Sequence, residues 1–295
     1  MNKDIAIMYH YVRNKSEWIG SVPIEVAEFR AQVEWAAKNY EIVTPDDLGK
    51  KSSKPKCVLS FDDATKDQYY NAFEMLTEMG IPAYFTVMSG PLVEKKIPIF
   101  HLVHTILSNF SDEEIWKELN ACFDIPDLTL LSDYYQYEPS IYRRYNKYVF
   151  NFLWSENQSR KFLEGKLFEL YGSTEKFIED FYISKGEFLK MKASGMSIGV
   201  HCVNHLPYGG EAQLFYENEI EPCARFIKNE LGITPRWYTP AFGGGENTQQ
   251  MISQLEPILK SNNFIGAFTT VQGYNNGHSS FWLNRIDCNK LYPIV

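Results

Sequence analysis

The chain has 295 residues, 44% hydrophobic and 22% charged, with a formal net charge of −8 at pH 7. That balance suits a folded protein with a sizeable core and excludes the basic face by which nucleic-acid binders hold phosphate. No apolar run is long enough to span a bilayer, and the short run before Tyr9 and His10 does not make a signal-peptide core. The cysteines at 57, 122, 202, 223 and 288 are odd in number and form no CxxC pair. Such spacing suits free thiols in a reducing compartment, so a cytoplasmic location is expected.

In chain order, "IAIMYHYV" reads as a first strand, and Val26, Phe29, Val33 and Ala37 then fall at helical spacing. "YEIV" is a short strand, and "TPDDL" has the form of a capped helix start with proline at its first position. "CVLSF" is an apolar run of buried-strand length. It is followed by a helix with Ala72, Leu76 and Met79 on one face, stopped at Gly80. "PAYFTVM" is the next strand.

The alternation stops after Leu92. From about 94 to 182 there is no strand pattern, whereas Ile115, Leu119 and Cys122 keep helical spacing, as do Phe162, Leu163, Leu167 and Leu170. The stretch "SDYYQYEPSIYRRYNKYVF" is crowded with tyrosines. A helical insertion is expected here, either covering part of a binding cleft or forming a plain helical subdomain. Alternation resumes with the capping box "SKGE", the strand "MSIGV", a helix closed by Gly232, the strand "RWYTP", a helix over 251–260 and the strand "FIGAFTTV". Strands alternating with helices on both sides of the insertion predict a parallel α/β arrangement, a barrel rather than an open sheet.

The strand "CVLSF" runs out into Asp62 and Asp63. Adjacent buried carboxylates are costly unless paired or bound to a metal, and an aspartate there could also simply cap a helix. The strand "MSIGV" runs out into His201, with His205 four residues on. In a parallel barrel both strand ends reach the same, C-terminal rim, where chemistry collects. Two imidazoles and one carboxylate make a ligand set that leaves metal positions open. One aspartate would then bind the ion and the other stay free as a base.

"LSFDDAT" resembles the first motif of the NodB-type polysaccharide deacetylases (carbohydrate esterase family 4), and "HCVNH" resembles their second, with Cys202 in a Ser/Thr position. "IMYHYV" and "WLNRID" also resemble stretches of bacterial members. The resemblance implies a distorted (β/α) barrel of about seven strands, here one domain over 1–295 with the insertion at about 94–182. It implies Asp62 as catalytic base, with Asp63, His201 and His205 as ligands of a divalent ion, Zn²⁺ first and Co²⁺, Ni²⁺ or Mn²⁺ as alternatives.

The chain departs from the family at Ala64, where glycine is usual, and in "RWYTPAFGGG", which carries Arg236, Pro240 and Phe242 at altered spacing. That loop is expected to line the cleft. Arg285 stands where a general-acid histidine is usual, which leaves His278 and His10 to supply that proton. His278 is expected to be catalytic, with His10, Pro240, Phe242 and Arg285 against the substrate. His101 and His104 are expected to be packing residues. The implied activity is hydrolysis of an N-acetyl or other N-acyl group on an amino sugar, nucleotide-linked, lipid-linked or in an oligosaccharide, as a surface-polysaccharide precursor. A non-sugar amide hydrolase and an inactive sugar-binding relative are the alternatives.

Overall fold

The computed structural model of the protein describes residues 3–122, 124–138, 140–276 and 280–291. They form two compact units: 1–13 with 23–96 and 179–295, and 14–22 with 97–178.

The first unit is built on one sheet of nine strands. In chain order these are β1 (Ile5–Tyr9), β2 (Glu41–Ile42), β3 (Lys56–Phe61), β4 (Tyr84–Met88), β5 (Ser197–Cys202), β6 (Trp237–Tyr238), β7 (Gly266–Phe268), β8 (Trp282–Leu283) and β9 (Ile286–Asp287). Every ladder is parallel, in the spatial order β8-β7-β6-β5-β4-β3-β1-β9, with β2 alongside β3. The architecture is a distorted (β/α) barrel. Strands β8 and β9 stand at opposite ends of this order, yet only Asn284 and Arg285 separate them in the chain. The covalent link therefore holds the two sheet edges near each other, and Arg285 sits at the seam.

Apart from the short strands β2 and β9, the strands are buried on both faces, as parallel strands are when helices cover the sheet. Period-two alternation divides their side chains between two cores. Ile5, Ile7, Leu59, Phe61 and Phe85 pack outward with helix residues such as Phe29 and Val33. Ala6, Val58, Tyr84, Trp237, Phe268 and Leu283 gather in a separate cluster, one from each of six strands, which is the barrel interior. Along β3 the inward series Val58, Ser60 continues to Asp62. The strand's own alternation thus carries a carboxylate to the inner face at its C-terminal end.

Large interior rings are accommodated by glycine on the neighbouring strand. A Cβ on Gly199 would lie 2.2 Å from the Tyr84 hydroxyl, and one on Gly266 would lie 2.2 Å from Cζ3 of Trp237. Neither neighbour is the free end of a flexible chain.

The second unit is helical, with helices at Ile99–Asn109, Asp112–Cys122, Ile141–Tyr148 and Glu156–Tyr171. Its core holds Leu102, Ile106, Ile115, Leu119, Phe150, Leu163 and Leu167, all buried. Arg143 organises its polar interior, donating from Nε to Asp112 at 2.5 Å, from Nη2 to the Leu107 carbonyl at 2.9 Å, and from Nη1 to the Ile19 carbonyl. Segment 14–22 is held in this unit by the bond from Gly20 N–H to Ser108 Oγ, 2.9 Å. His101 is buried on the first of these helices, with its ring 4.0 Å from that of Phe100. No helix among the described residues is long and apolar enough to cross a membrane.

Gly199→Ala is expected to lower stability by about 1–3 kcal/mol, the usual cost of overpacking a close-packed interior. Urea denaturation measures it, and the loss should shrink when Tyr84→Phe removes the hydroxyl that the new methyl meets.

Candidate active site

The ends of β1, β3 and β5 bring His10, Asp62, Asp63 and His201 to the C-terminal rim, and the loop after β5 brings His205. Nε2 of His201 and of His205 lie 3.1 and 3.4 Å from the same oxygen, Oδ1 of Asp63. All three side chains are buried, and their ligating atoms lie within 4.8 Å of one another. Among the described residues no other group of three such side chains comes as close.

The backbone is bent to achieve this. Asp63 (φ 72°), Ala64 (φ 55°) and His205 (φ 60°) are all left-handed. Aspartate and histidine adopt that region more readily than most residues, and alanine does not. Left-handed residues outside glycine cluster at functional sites. The usual glycine of the resembled motif falls at Ala64, where this conformation explains it.

The loop between the histidines is anchored from behind. Buried Glu219 accepts from Asn204 twice, from its backbone N–H and from its Nδ2, both at 2.9 Å. Nδ1 of His201 lies 2.7 Å from the Thr239 carbonyl and so donates to it. A neutral His201 then presents a lone pair at Nε2 to the Asp63 carboxylate. Only a proton or a cation between them makes that contact attractive. Burial opposes the Asp63 charge, but hydrogen bonds from His201 and His205 outweigh it and hold the carboxyl well below the usual carboxylate range. Burial also works against charge on His201, yet the bond to Asp63 leaves its pKa raised, whereas burial prevails at His205 and lowers it. The two imidazoles therefore differ: the charged form is favoured relative to its ordinary range at His201 and disfavoured at His205.

The neighbouring Asp62 has a different partner. Nη1 of Arg285 lies 2.8 Å from each of its carboxylate oxygens. The same guanidinium donates from Nε to the Thr269 carbonyl at 3.0 Å and approaches Ser60 Oγ at 3.3 Å. Arg285 is 1% exposed. Sequence reasoning set Arg285 against the substrate; burial at the seam places it against Asp62 instead. His10 Nε2 is 3.9 Å from Asp62 Oδ2, with its side chain 44% exposed.

The other expected residues divide. Phe242 is half exposed, and its ring packs edge-on against His205 with centroids 4.5 Å apart, while Pro240 is buried. Arg236 precedes β6, at the opposite end of the strand, and faces Asp46 at 3.6 Å. His278 lies outside the described residues. Sequence reasoning did not find Thr239, Glu219 or Gln68. Nothing in "YENEI" distinguishes Glu219 from the exposed acids beside it.

The parallel sheet and its surrounding helices are those of a distorted (β/α) barrel. The chain matches the polysaccharide deacetylase family over residues 49–257, most of its length, and belongs to that family. His10 and Arg285 lie outside the matched stretch. Its fold is similar to that of IcaB from Ammonifex degensii, at 18% identity and a TM-score of 0.59, covering 97% of this chain and 91% of that one. It is also similar to the Streptococcus pyogenes deacetylase PplD, solved with acetate, at 16% identity and a TM-score of 0.56, covering 97% and 92%. A de-N-acetylase from Aggregatibacter actinomycetemcomitans matches at 15% identity and a TM-score of 0.56, covering 98% and 96%. No curated protein sequence matches the chain.

Because Asp62 and Arg285 are both buried, removing one charge strands the other. Arg285→Met is expected to destabilise the protein by about 3–5 kcal/mol. Adding Asp62→Asn should recover much of that loss, which a double-mutant cycle in denaturant measures.

Proposed function

We propose that the protein is a metal-dependent hydrolase that removes an N-acetyl, or other N-acyl, group from an amino sugar of a surface polysaccharide or its precursor. The observation that carries this reading is the contact between Asp63 and two imidazoles at the barrel rim, with His201 fixed by Thr239 so that its lone pair faces the carboxylate. Two imidazole nitrogens and one carboxylate oxygen suit Zn²⁺, with Co²⁺, Ni²⁺ or Mn²⁺ as related occupants. A divalent ion held by Asp63, His201 and His205 supplies Lewis acidity for an acyl carbonyl and for water.

The remaining work falls to the chain. Asp62 takes a proton from the attacking water as the new C–O bond forms. Arg285, bonded to both of its oxygens, holds the Asp62 carboxylate in one orientation and gives it no freedom to turn toward Asp63. His10 gives a proton to the amine nitrogen as the C–N bond breaks. Acetate and the free amine leave, and proton exchange with solvent restores both groups. His10 takes the acid role here because it stands beside Asp62 and outside the three-residue group. Exposed Phe242 offers an apolar face beside His205, suited to an acyl methyl or a sugar ring. The described cysteines that are buried as free thiols, 57, 202, 223 and 288, fit a reducing compartment and so favour a precursor as substrate.

Substitution separates the two aspartates. Asp62→Asn should retain the ion while acetate release falls by about 10²–10⁴. Asp63→Asn keeps a residue type that tolerates the left-handed backbone, so a folded protein with weakened ion binding is expected, partly restored by added metal. His205→Ala should lower ion content sharply. Elemental analysis with an acetate-release assay on N-acetyl sugars and their nucleotide conjugates reads all three, and identical behaviour of the two aspartate variants would contradict the assignment.

Ion binding at His201 and His205 must also displace any proton that either imidazole carries. Calorimetry in buffers of different ionisation enthalpy should show proton release that grows as pH falls toward about 6, with weaker binding there. Binding that is independent of pH between 6 and 8 would place the ion elsewhere.

A further inference from the structure

Gln68 lies at the start of a π-helical turn, Gln68–Phe73, that follows the aspartate pair. Single π-turns recur at functional sites. Its side chain is fully buried. Its Nε2 donates to two backbone carbonyls at once, that of His10 at 2.7 Å and that of Asp62. Those residues belong to different strands. The β1–β3 ladder makes its last register pair at Tyr9 and Phe61 and its last bond from Asp62 N–H to the Tyr9 carbonyl, 3.0 Å. His10 and Asp62 are thus the first residues beyond the ladder, where the strands would otherwise be free to diverge.

Both contacts are acceptors, so the amide must present its NH₂ there, and Oε1 is left buried without a hydrogen bond among the described residues. A buried orphan acceptor is a cost that folds normally avoid. Two flanking side chains grip the same segment. Asp67 Oδ2 accepts from Val12 N–H at 2.6 Å, and Asn71 Nδ2 donates to the Val12 carbonyl at 2.8 Å.

We infer that Gln68 is a positioning residue for the deacetylation reaction, an amide staple that fixes the spacing between the acid, His10, and the base, Asp62. The inference rests on the roles proposed above for those two residues. It touches no substrate. Its effect passes through the two main-chain segments that aim the side chains at opposite ends of the scissile bond. Misplacing a catalytic group by about 1 Å can cost on the order of a hundredfold in rate, so a staple at this point acts on turnover rather than on substrate affinity.

The test is a double-mutant cycle on acetate release. Gln68→Met keeps length and volume but has no donor; Gln68→Asn keeps the amide but is too short to span both carbonyls, and serves if the first variant folds poorly. Each is made in the wild-type and in the His10→Ala background. Expected in the wild-type background is a fall in kcat of about tenfold or more, with KM and ion content little changed. In the His10→Ala background the same substitution should cost less than about threefold, because without the acid there is no acid–base spacing left to fix. Equal fold-losses in the two backgrounds, or a loss confined to ion content or melting temperature, would overturn the staple while leaving the deacetylase reading intact. A His10→Ala protein as active as wild type, or a wild type that releases no acetate from any N-acetyl amine, would overturn the proposed roles and the staple with them.

Discussion

Two adjacent buried carboxylates can both stay charged only if each has its own source of positive charge. The rim of this barrel meets that condition by sending Asp62 and Asp63 in different directions. Asp62 continues the inward alternation of β3 and meets the guanidinium of Arg285. Asp63 turns out of that series through a left-handed backbone and meets two imidazoles. The left-handed pair Asp63–Ala64 is therefore more than a local irregularity. It is the bend that keeps the two charges from competing for one cation, and it accounts for the strain accepted in a chain without the customary glycine.

Much of the surrounding apparatus supports that division. Thr239 fixes the tautomer of His201, Glu219 pins the loop that carries His205, and Ser60 shares the Arg285 guanidinium with Asp62. Each of these groups is buried. A polar cluster at this depth is stable only when its members are satisfied together, so the site behaves as one unit rather than as a set of independent ligands.

Strong local patterns were legible in the sequence. The runs now forming β1, β3, β4 and β5 announce themselves by continuous burial, and the helical spacing at Ile115/Leu119 and Leu163/Leu167 corresponds to side chains that are fully or almost fully buried. The aspartate pair and the two histidines were visible because they stand at the ends of such runs. What stayed hidden depends on chain meeting chain across long separations. β8 and β9 are two residues each, too short to carry a period, and they exist because the sheet edge is there to receive them. Arg285 lies in "WLNRID", where the sequence sets it against the substrate, and its burial against Asp62 comes from the seam. Segment 14–22 shows no sign in its composition that it belongs with the helices of the second unit. Gln68 is a glutamine near a helix start, which in sequence terms is unremarked.

The pairing of Asp62 with Arg285 spans 223 residues of chain. At ribosomal speeds of roughly 5–20 residues per second, about 10–45 s separate the synthesis of one from that of the other. During that interval β3 and its neighbours can associate, but the carboxylate at the end of β3 lacks its guanidinium partner and resists burial. The inner face of the nascent sheet must stay hydrated at that end until the last strands arrive. Charge compensation thus acts as a checkpoint on vectorial folding: the same residue that closes the seam is the one that permits the interior to dry.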